Sequence, residues 1–181
     1  MVTITSLGGP ELRCNFGKII LRIFPEKVGD TLPEGEIYVL AHPEEVPMDG
    51  TISWPGEYDF NAVSIRGLGH EQGSQVSFVV VNDGVRLAFL STPLHGLTDF
   101  ELEQIGDIDI LAIPTDDLKV VQELVDAIDP RVLIPLPTNE KIFQDVLKAF
   151  GAVGKEAVEE YKLKASLPTE GREVVILKEG K

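Results

Sequence analysis

Asp109-Ile110-Leu111-Ala112-Ile113-Pro114 and Arg131-Val132-Leu133-Ile134-Pro135 decide the reading of this chain. Each is a short apolar run closed by proline, the pattern of a strand buried on both faces. Between them Leu118, Val121, Leu124, Val125 and Ile128 recur at helical spacing, with Asp116 and Asp117 where the dipole of a helix N-terminus favours acids. After the second run, Thr138 is in place to cap another helix, with Ile142, Phe143, Val146, Leu147 and Phe150 on its inner face and Gly151 as its stop. The unit is β-α-β-α, and its two strands are expected to be parallel with a right-handed crossover.

Upstream of this unit the chain reads as β. Gly17 divides apolar segments 11–16 and 18–24, which predicts a hairpin. Residues 25–36 form a loop, 37–40 a short strand and 41–50 a second loop containing Pro43 and Pro47. Strands follow over 51–54, 62–65, 76–81 and 85–90, rich in β-branched and aromatic residues. Asn82-Asp83-Gly84 joins the last two as a tight turn. Val79-Val80-Val81 is apolar on both faces, so its strand is expected at the centre of a sheet. Thr98 caps a short helix that ends at Gly106. Downstream, 160–165 and 173–177 read as two more strands. The fold class that follows is α/β (α+β), one domain over 1–181, with two facing sheets and helices outside.

Composition narrows the function. Thirty Asp and Glu oppose 16 Lys and Arg, a net charge of −14, so nucleic acid is not an expected partner. No apolar stretch is long enough to span a membrane. Residues 1–5 lack the basic region and apolar core of a signal peptide. The single cysteine, Cys14, cannot form an internal disulfide, and it fits a reducing, cytoplasmic location. In an early strand with only Arg13 beside it, its thiol is expected to be buried and inert. Gly67-Leu68-Gly69 precedes no helix and lacks a third glycine, so it is no dinucleotide fingerprint. Ser91 and His95 are close in sequence, but no Gly-x-Ser-x-Gly elbow frames the serine.

Several segments together resemble the metallo-β-lactamase fold, and within it the predicted zinc-dependent hydrolases related to L-ascorbate-6-phosphate lactonase. The resemblance is carried by Ile4-Thr5-Ser6-Leu7-Gly8, Gly17-Lys18-Ile19-Ile20-Leu21, Trp54-Pro55-Gly56-Glu57-Tyr58, the two strands ending in Ile-Pro, and Glu173-Val174-Val175-Ile176-Leu177. It implies an αββα sandwich of four layers, with two mostly antiparallel mixed sheets. It also implies hydrolysis by two divalent ions, held by a Thr-His-x-His-x-Asp-His loop, further histidines and a bridging aspartate. Such ions lower the pKa of bound water to supply hydroxide near neutral pH.

The matches lie in the scaffold, and the departures cluster at the metal site. The ligand loop lines up with Ala41-His42-Pro43-Glu44-Glu45-Val46-Pro47, where only the first histidine remains. Glu44 replaces the second histidine, Val46 the aspartate and Pro47 the last histidine. Ser91-Thr92 stands for Gly-Asp, Thr115-Asp116-Asp117 for Val-Gly-Gly, and Pro137 occupies the position of a further metal histidine. The ancestral zinc or manganese site is therefore expected to be lost, leaving no cofactor and no catalytic or metal-binding residues.

The candidates for the vestigial pocket are His42, Glu44, Glu57, Thr92, His95, Thr115, Asp116, Asp117 and Thr138. His42 with Glu44 is the best surviving ligand pair, although Pro43 and Pro47 restrict its loop. Glu57 and Tyr58 are expected to brace the loop over the site. Thr92, Thr115, Thr138 and Asn139 are expected to fill vacated space by satisfying one another. Asp116 and Asp117 have a plain role as helix acids, and a second one at the carboxyl ends of strands, where α/β sheets present ligands. His95 follows the strand where the bridging aspartate would lie. His70 is expected to face solvent from a Gly-rich turn.

The leading expectation is a metal-free, non-catalytic binding or scaffold module with a protein or small-molecule partner, or a second copy of itself. The alternative is a hydrolase of phosphodiesters, lactones or other esters with a metal centre rebuilt from His42, Glu44, Asp116 or Asp117.

Overall fold

In the computed structural model, which describes residues 2–163 and 167–180, the strands are short and sort into two sheets by which face they bury. The first sheet contains β1 (Thr3–Gly8), β2 (Glu11–Asn15), β3 (Ile20–Ile23), β4 (Glu36–Val39), β5 (Thr51–Ile52) and β12 (Tyr161–Lys162), in the order β12-β1-β2-β3-β4-β5. The second contains β6 (Gly56–Phe60), β7 (Val63–His70), β8 (Gln75–Asn82), β9 (Val85–Phe89), β10 (Ile110–Pro114), β11 (Val132–Leu136) and β13 (Glu173–Val174), in the order β13-β11-β10-β9-β8-β7-β6. Both sheets are mixed. β9, β10, β11 and β13 are parallel, β6 to β9 antiparallel, and β3, β4 and β5 parallel after the antiparallel β12-β1-β2-β3.

Alternation builds the core between the sheets. On β2, Leu12 and Cys14 point inward at 0% exposure while Glu11 and Arg13 point outward. Across the gap lie Phe78, Val80, Leu87, Phe89, Ala112 and Ile134 of the second sheet. Val79 faces the other way, into a second core under the helices, so β8 is covered on both faces as its three valines predict. The turn to β9 gives Asp83 and Gly84 φ values of 50° and 78°, the paired positive φ of a tight hairpin.

Helices α1 (Asp99–Ile105), α2 (Leu118–Ile128) and α3 (Glu140–Ala149) all pack on the outer face of the second sheet, through Ile105, Val121, Leu124, Val125, Phe143, Val146 and Leu147. Among the described residues no α-helix covers the outer face of the first sheet, so the helical layer expected there is absent from this sandwich and charged side chains finish that face instead. Arg22 bonds Glu11, approaches Glu36 at 3.8 Å and stacks on the Tyr38 ring at 5.3 Å, while Arg13 reaches Glu36 at 3.4 Å. None of the helices among the described residues is long and apolar enough to cross a membrane.

Some boundaries differ from expectation. Strand 62–65 continues to His70 as β7, because β8 offers it a full antiparallel partner from Val63↔Asn82 to His70↔Gln75. β1 and the edge strand β6 add to the expected set. The tail strands shrink to two residues each, and residues 164 and 165 of the first lie outside the described residues. α3 is capped by Asn139, whose Oδ1 accepts from Ile142 N at 3.1 Å, and not by Thr138, whose hydroxyl is committed elsewhere.

Candidate functional site

The carboxyl ends of β9, β10 and β11 lie side by side, and the residues that follow them form one hydrogen-bonded knot. Asp116 is its acceptor. Its Oδ2 receives the Thr92 hydroxyl at 2.7 Å and the Leu94 N–H at 2.7 Å, and its Oδ1 receives the Thr138 hydroxyl at 2.5 Å. Beneath it Thr115 is fully buried and gives its hydroxyl to Leu136 O at 2.7 Å. Thr92, Thr115, Thr138 and Asp116 thus come together from three loops. Asp117 does not join them: it is the N-cap of α2, accepting from Val120 N at 3.0 Å.

The knot fixes the loop after β9, and a second set of bonds holds the same loop from the other side. Gln75 donates to Ser91 Oγ at 2.8 Å and to Pro93 O at 3.0 Å, and Ser77 Oγ lies 3.2 Å from Ser91 Oγ. The next residues bring His95 against His70, edge to face, with ring centroids 5.0 Å apart.

His70 does not face solvent. It is 2% exposed. On β7, Arg66, Leu68 and His70 alternate onto the face that α1 covers, where positions three apart on the helix meet them. Arg66 bonds the side chain and carbonyl of Gln104, and His70 Nδ1 meets Glu101 Oε1 at 2.8 Å. Glu101 also closes a capping box, its Oε2 accepting from the N–H and hydroxyl of Thr98. Burial opposes ionisation of Glu101, but the bonds from His70 and Thr98 and the attraction of His70 outweigh it and lower its pKa to about 2. His70 Nε2 is buried with no hydrogen-bond partner.

Beside this trio a groove of about 330 Å³ runs between β6, β7 and α1, lined by Glu57, Arg66, Leu68, Phe100, Glu101 and Gln104. Its floor requires glycine: a Cβ on Gly67 would stand 2.8 Å from Trp54 O, and one on Gly69 2.8 Å from Pro55 Cγ. Trp54 is half exposed and Phe100 68% exposed. Tyr58 braces the Trp54 turn, its hydroxyl donating to Trp54 O at 2.8 Å, while Glu57 is exposed on the edge strand.

The loop 41–50 is organised by its own residues. Glu44 Oε2 accepts the hydroxyls of Thr51 at 2.6 Å and Ser53 at 3.1 Å, and its carbonyl accepts from Trp54 Nε1 at 3.0 Å. His42 is exposed, with Nδ1 3.0 Å from Ser74 O, and Val46 is 83% exposed. These residues do not fit the two-ion centre that the resemblance implies. One exposed imidazole is offered there, the neighbouring carboxylate already accepts two hydroxyls, and both oxygens of Asp116 are taken by protein donors.

Glu101 and His70 are the members of this region that sequence reasoning missed. The signal was Arg66 and His70 four residues apart on one strand face, which marks a face met by something hydrogen-bonding, together with the Thr98-x-x-Glu101 capping pattern that points Glu101 back toward it.

Comparison with known proteins agrees with this architecture. The sequence model of the β-lactamase superfamily domain matches residues 28–137. Among solved structures, the chain is similar to a protein from Thermotoga maritima assigned to the Zn-dependent hydrolases of the metallo-β-lactamase superfamily, with 24% identity, 98% of each chain covered and a TM-score of 0.78. It is also similar to Igni18, a metallo hydrolase from Ignicoccus hospitalis (14% identity, 99% of this chain and 96% of that one, TM-score 0.63). A third is the metallo-β-lactamase fold protein YhfI from Bacillus subtilis (8% identity, 100% and 98%, TM-score 0.64). No curated protein matches the chain.

Proposed function

The chain belongs to the β-lactamase superfamily, and from that premise we propose that it is a hydrolase-like protein working as a binding or scaffold module in the cytoplasm, its ancestral two-ion zinc or manganese centre replaced by hydrogen bonds among protein groups. The observation that carries this reading is the saturation of Asp116. At the carboxyl ends of the parallel strands, where an open superfamily site would present ligands to ions and water, its carboxylate receives Thr92, Leu94 N and Thr138 instead. Two-metal hydrolysis needs a pair of clamped ions and an activated water, and the loop with His42 and Glu44 offers no such set.

The partner is a protein or a small molecule, or a second copy of the chain. The net charge of −14 disfavours nucleic acid, and the groove flanked by exposed Phe100 offers an apolar contact with Arg66 and Glu57 beside it.

Hydrolysis assays on phosphodiesters, lactones and simple esters, with zinc, manganese or iron added, test the reading. Turnover at the level of the uncatalysed reaction is expected. Metal-dependent turnover abolished by H42A would replace this reading with the rebuilt hydrolytic centre. A thermal-shift screen against metabolites then separates small-molecule binding from a purely protein-directed role, since a ligand of the folded state raises Tm.

A further inference from the structure

We propose that the outer edge of β6 docks an extended, basic segment of a partner polypeptide, which adds a strand to the second sheet beside Glu57 and Asp59. This deepens the binding-module reading above and rests on it.

A sheet edge exposes a row of backbone donors and acceptors, and proteins blunt such edges by keeping them short, bulged or covered. Two open sheets have four edges. Among the described residues three of these, β5, β12 and β13, are two residues long. β6 runs for five residues, pairs with β7 in an unbroken register from Gly56↔Gly67 to Phe60↔Val63, and has no strand on its other side. It is the edge with the length to accept an added strand.

Alternation gives the two sides of this edge different chemistry. Glu57 and Asp59 lie opposite Arg66 and Ser64 on the outer face, and both acids are exposed. Tyr58 and Phe60 point to the inner side, packed on the core between the sheets yet only half-buried. Among the described residues neither carboxylate belongs to an ion pair, and Asp59 accepts one hydroxyl, that of Ser64. Arg66 and Arg86 share with them a depression of about 390 Å³. Both guanidinium groups are turned onto carbonyls at the end of α1, those of Gln104 and Ile105.

The acids decide the occupant. In a symmetric antiparallel pairing of two copies, residues of the same face stand opposite each other. Centred on Tyr58, such a pairing sets Glu57 against Asp59 of the other copy. Centred on Glu57 or on Asp59, it sets that acid against itself. Like charges directly opposite destabilise a strand pair, so the edge is guarded against a second copy of the chain. It is not guarded against a segment with Lys or Arg at alternate positions. The cations of that segment face Glu57 and Asp59, its intervening apolar side chains rest on Tyr58 and Phe60, and the net charge of −14 favours its approach.

The test titrates the full chain, at low salt, with a fluorescent peptide of about nine residues that alternates lysine and valine, and follows amide hydrogen exchange over residues 56–60. Binding with slowed exchange in that segment is expected. E57K/D59K, a change confined to exposed side chains, is expected to weaken binding about tenfold or more by turning attraction into repulsion. E57Q/D59N, which keeps the shape of both side chains, is expected to weaken it by less. The same peptide methylated on the backbone nitrogens of its central residues keeps its charge but loses its donors, and is expected not to bind. Absence of binding by the parent, equal binding of the methylated peptide, or unchanged binding by E57K/D59K each overturns the proposal. Its failure is distinguishable from failure of the preceding reading, which turns on substrate hydrolysis and on His42.

Discussion

His70 Nδ1 and the Glu101 carboxylate meet at 2.8 Å across the contact between β7 and α1, and this pair joins the strand to the first turn of the helix. The same carboxylate caps α1 through Thr98, so one side chain closes the helix end and anchors it.

Glu101 therefore gives the fold a pH dependence with a definite sign. Its pKa is about 2 in the folded chain, against an ordinary value of 4.5. Between those values the unfolded chain binds more protons, so this contribution is fully present above about pH 4.5 and disappears as pH falls through about 2. E101Q is expected to cost roughly 1–3 kcal/mol at neutral pH, the range for bonds to a charged group. It should also flatten the acid limb of a urea-denaturation series run from pH 6 to pH 2. A parallel acid limb in E101Q would refute the assignment.

Asp116 is the acceptor on which three loops converge. D116A removes three hydrogen bonds at once and is expected to destabilise the chain by roughly 2–4 kcal/mol, lowering Tm by roughly 5–12 °C for a domain of this size. D116N keeps the shape and one acceptor oxygen, so a loss about half as large is expected. Calorimetry of the two variants checks the order.

His42 carries none of this load. Exposed, with one contact to Ser74 O, it is expected to tolerate alanine within about 0.5 kcal/mol, measured by chemical denaturation.

Cys14 is fully buried in the core between the sheets, and burial pushes its thiol pKa well up. Thiol reagents are expected to label it in urea and not in the native state, at a native rate set by unfolding. C14S, which buries a hydroxyl among apolar side chains, is expected to cost roughly 1–3 kcal/mol.

Gly67 leaves no room for a side chain, since Trp54 O, Phe78 and Pro55 would all lie within 3.2 Å of an added Cβ. G67A is expected to cost roughly 1–3 kcal/mol, and to shift the fluorescence of the single tryptophan, Trp54. An unchanged emission spectrum would show that the turn over β7 does not move.

The buried strands β8, β10 and β11 and the helices α2 and α3 were legible because their signals are local: apolar runs closed by proline, and apolar residues at helical spacing. Thr98, Asn82-Asp83-Gly84 and Gly151 were legible for the same reason. Edge strand β6 was harder to see. Its Gly-Glu-Tyr-Asp-Phe sequence half-buries only Tyr58 and Phe60, and pairing with β7 holds the rest in place. Thr138 and Asn139 both suit a helix cap by type. The choice between them fell to Asp116, which is distant in sequence and claims the threonine.

The amino-acid sequence by itself determined the two β-sheets with accompanying helices and the acidic net charge, because each is a property of residue type and near spacing. Only the tertiary structure decided that both carboxylate oxygens of Asp116 accept from Thr92, Leu94 and Thr138, and that His70 turns inward to meet Glu101 and His95. Those relationships join residues 22 to 31 positions apart, and such pairings exist only once β7 has run its full length along β8 and α1 has docked on the sheet.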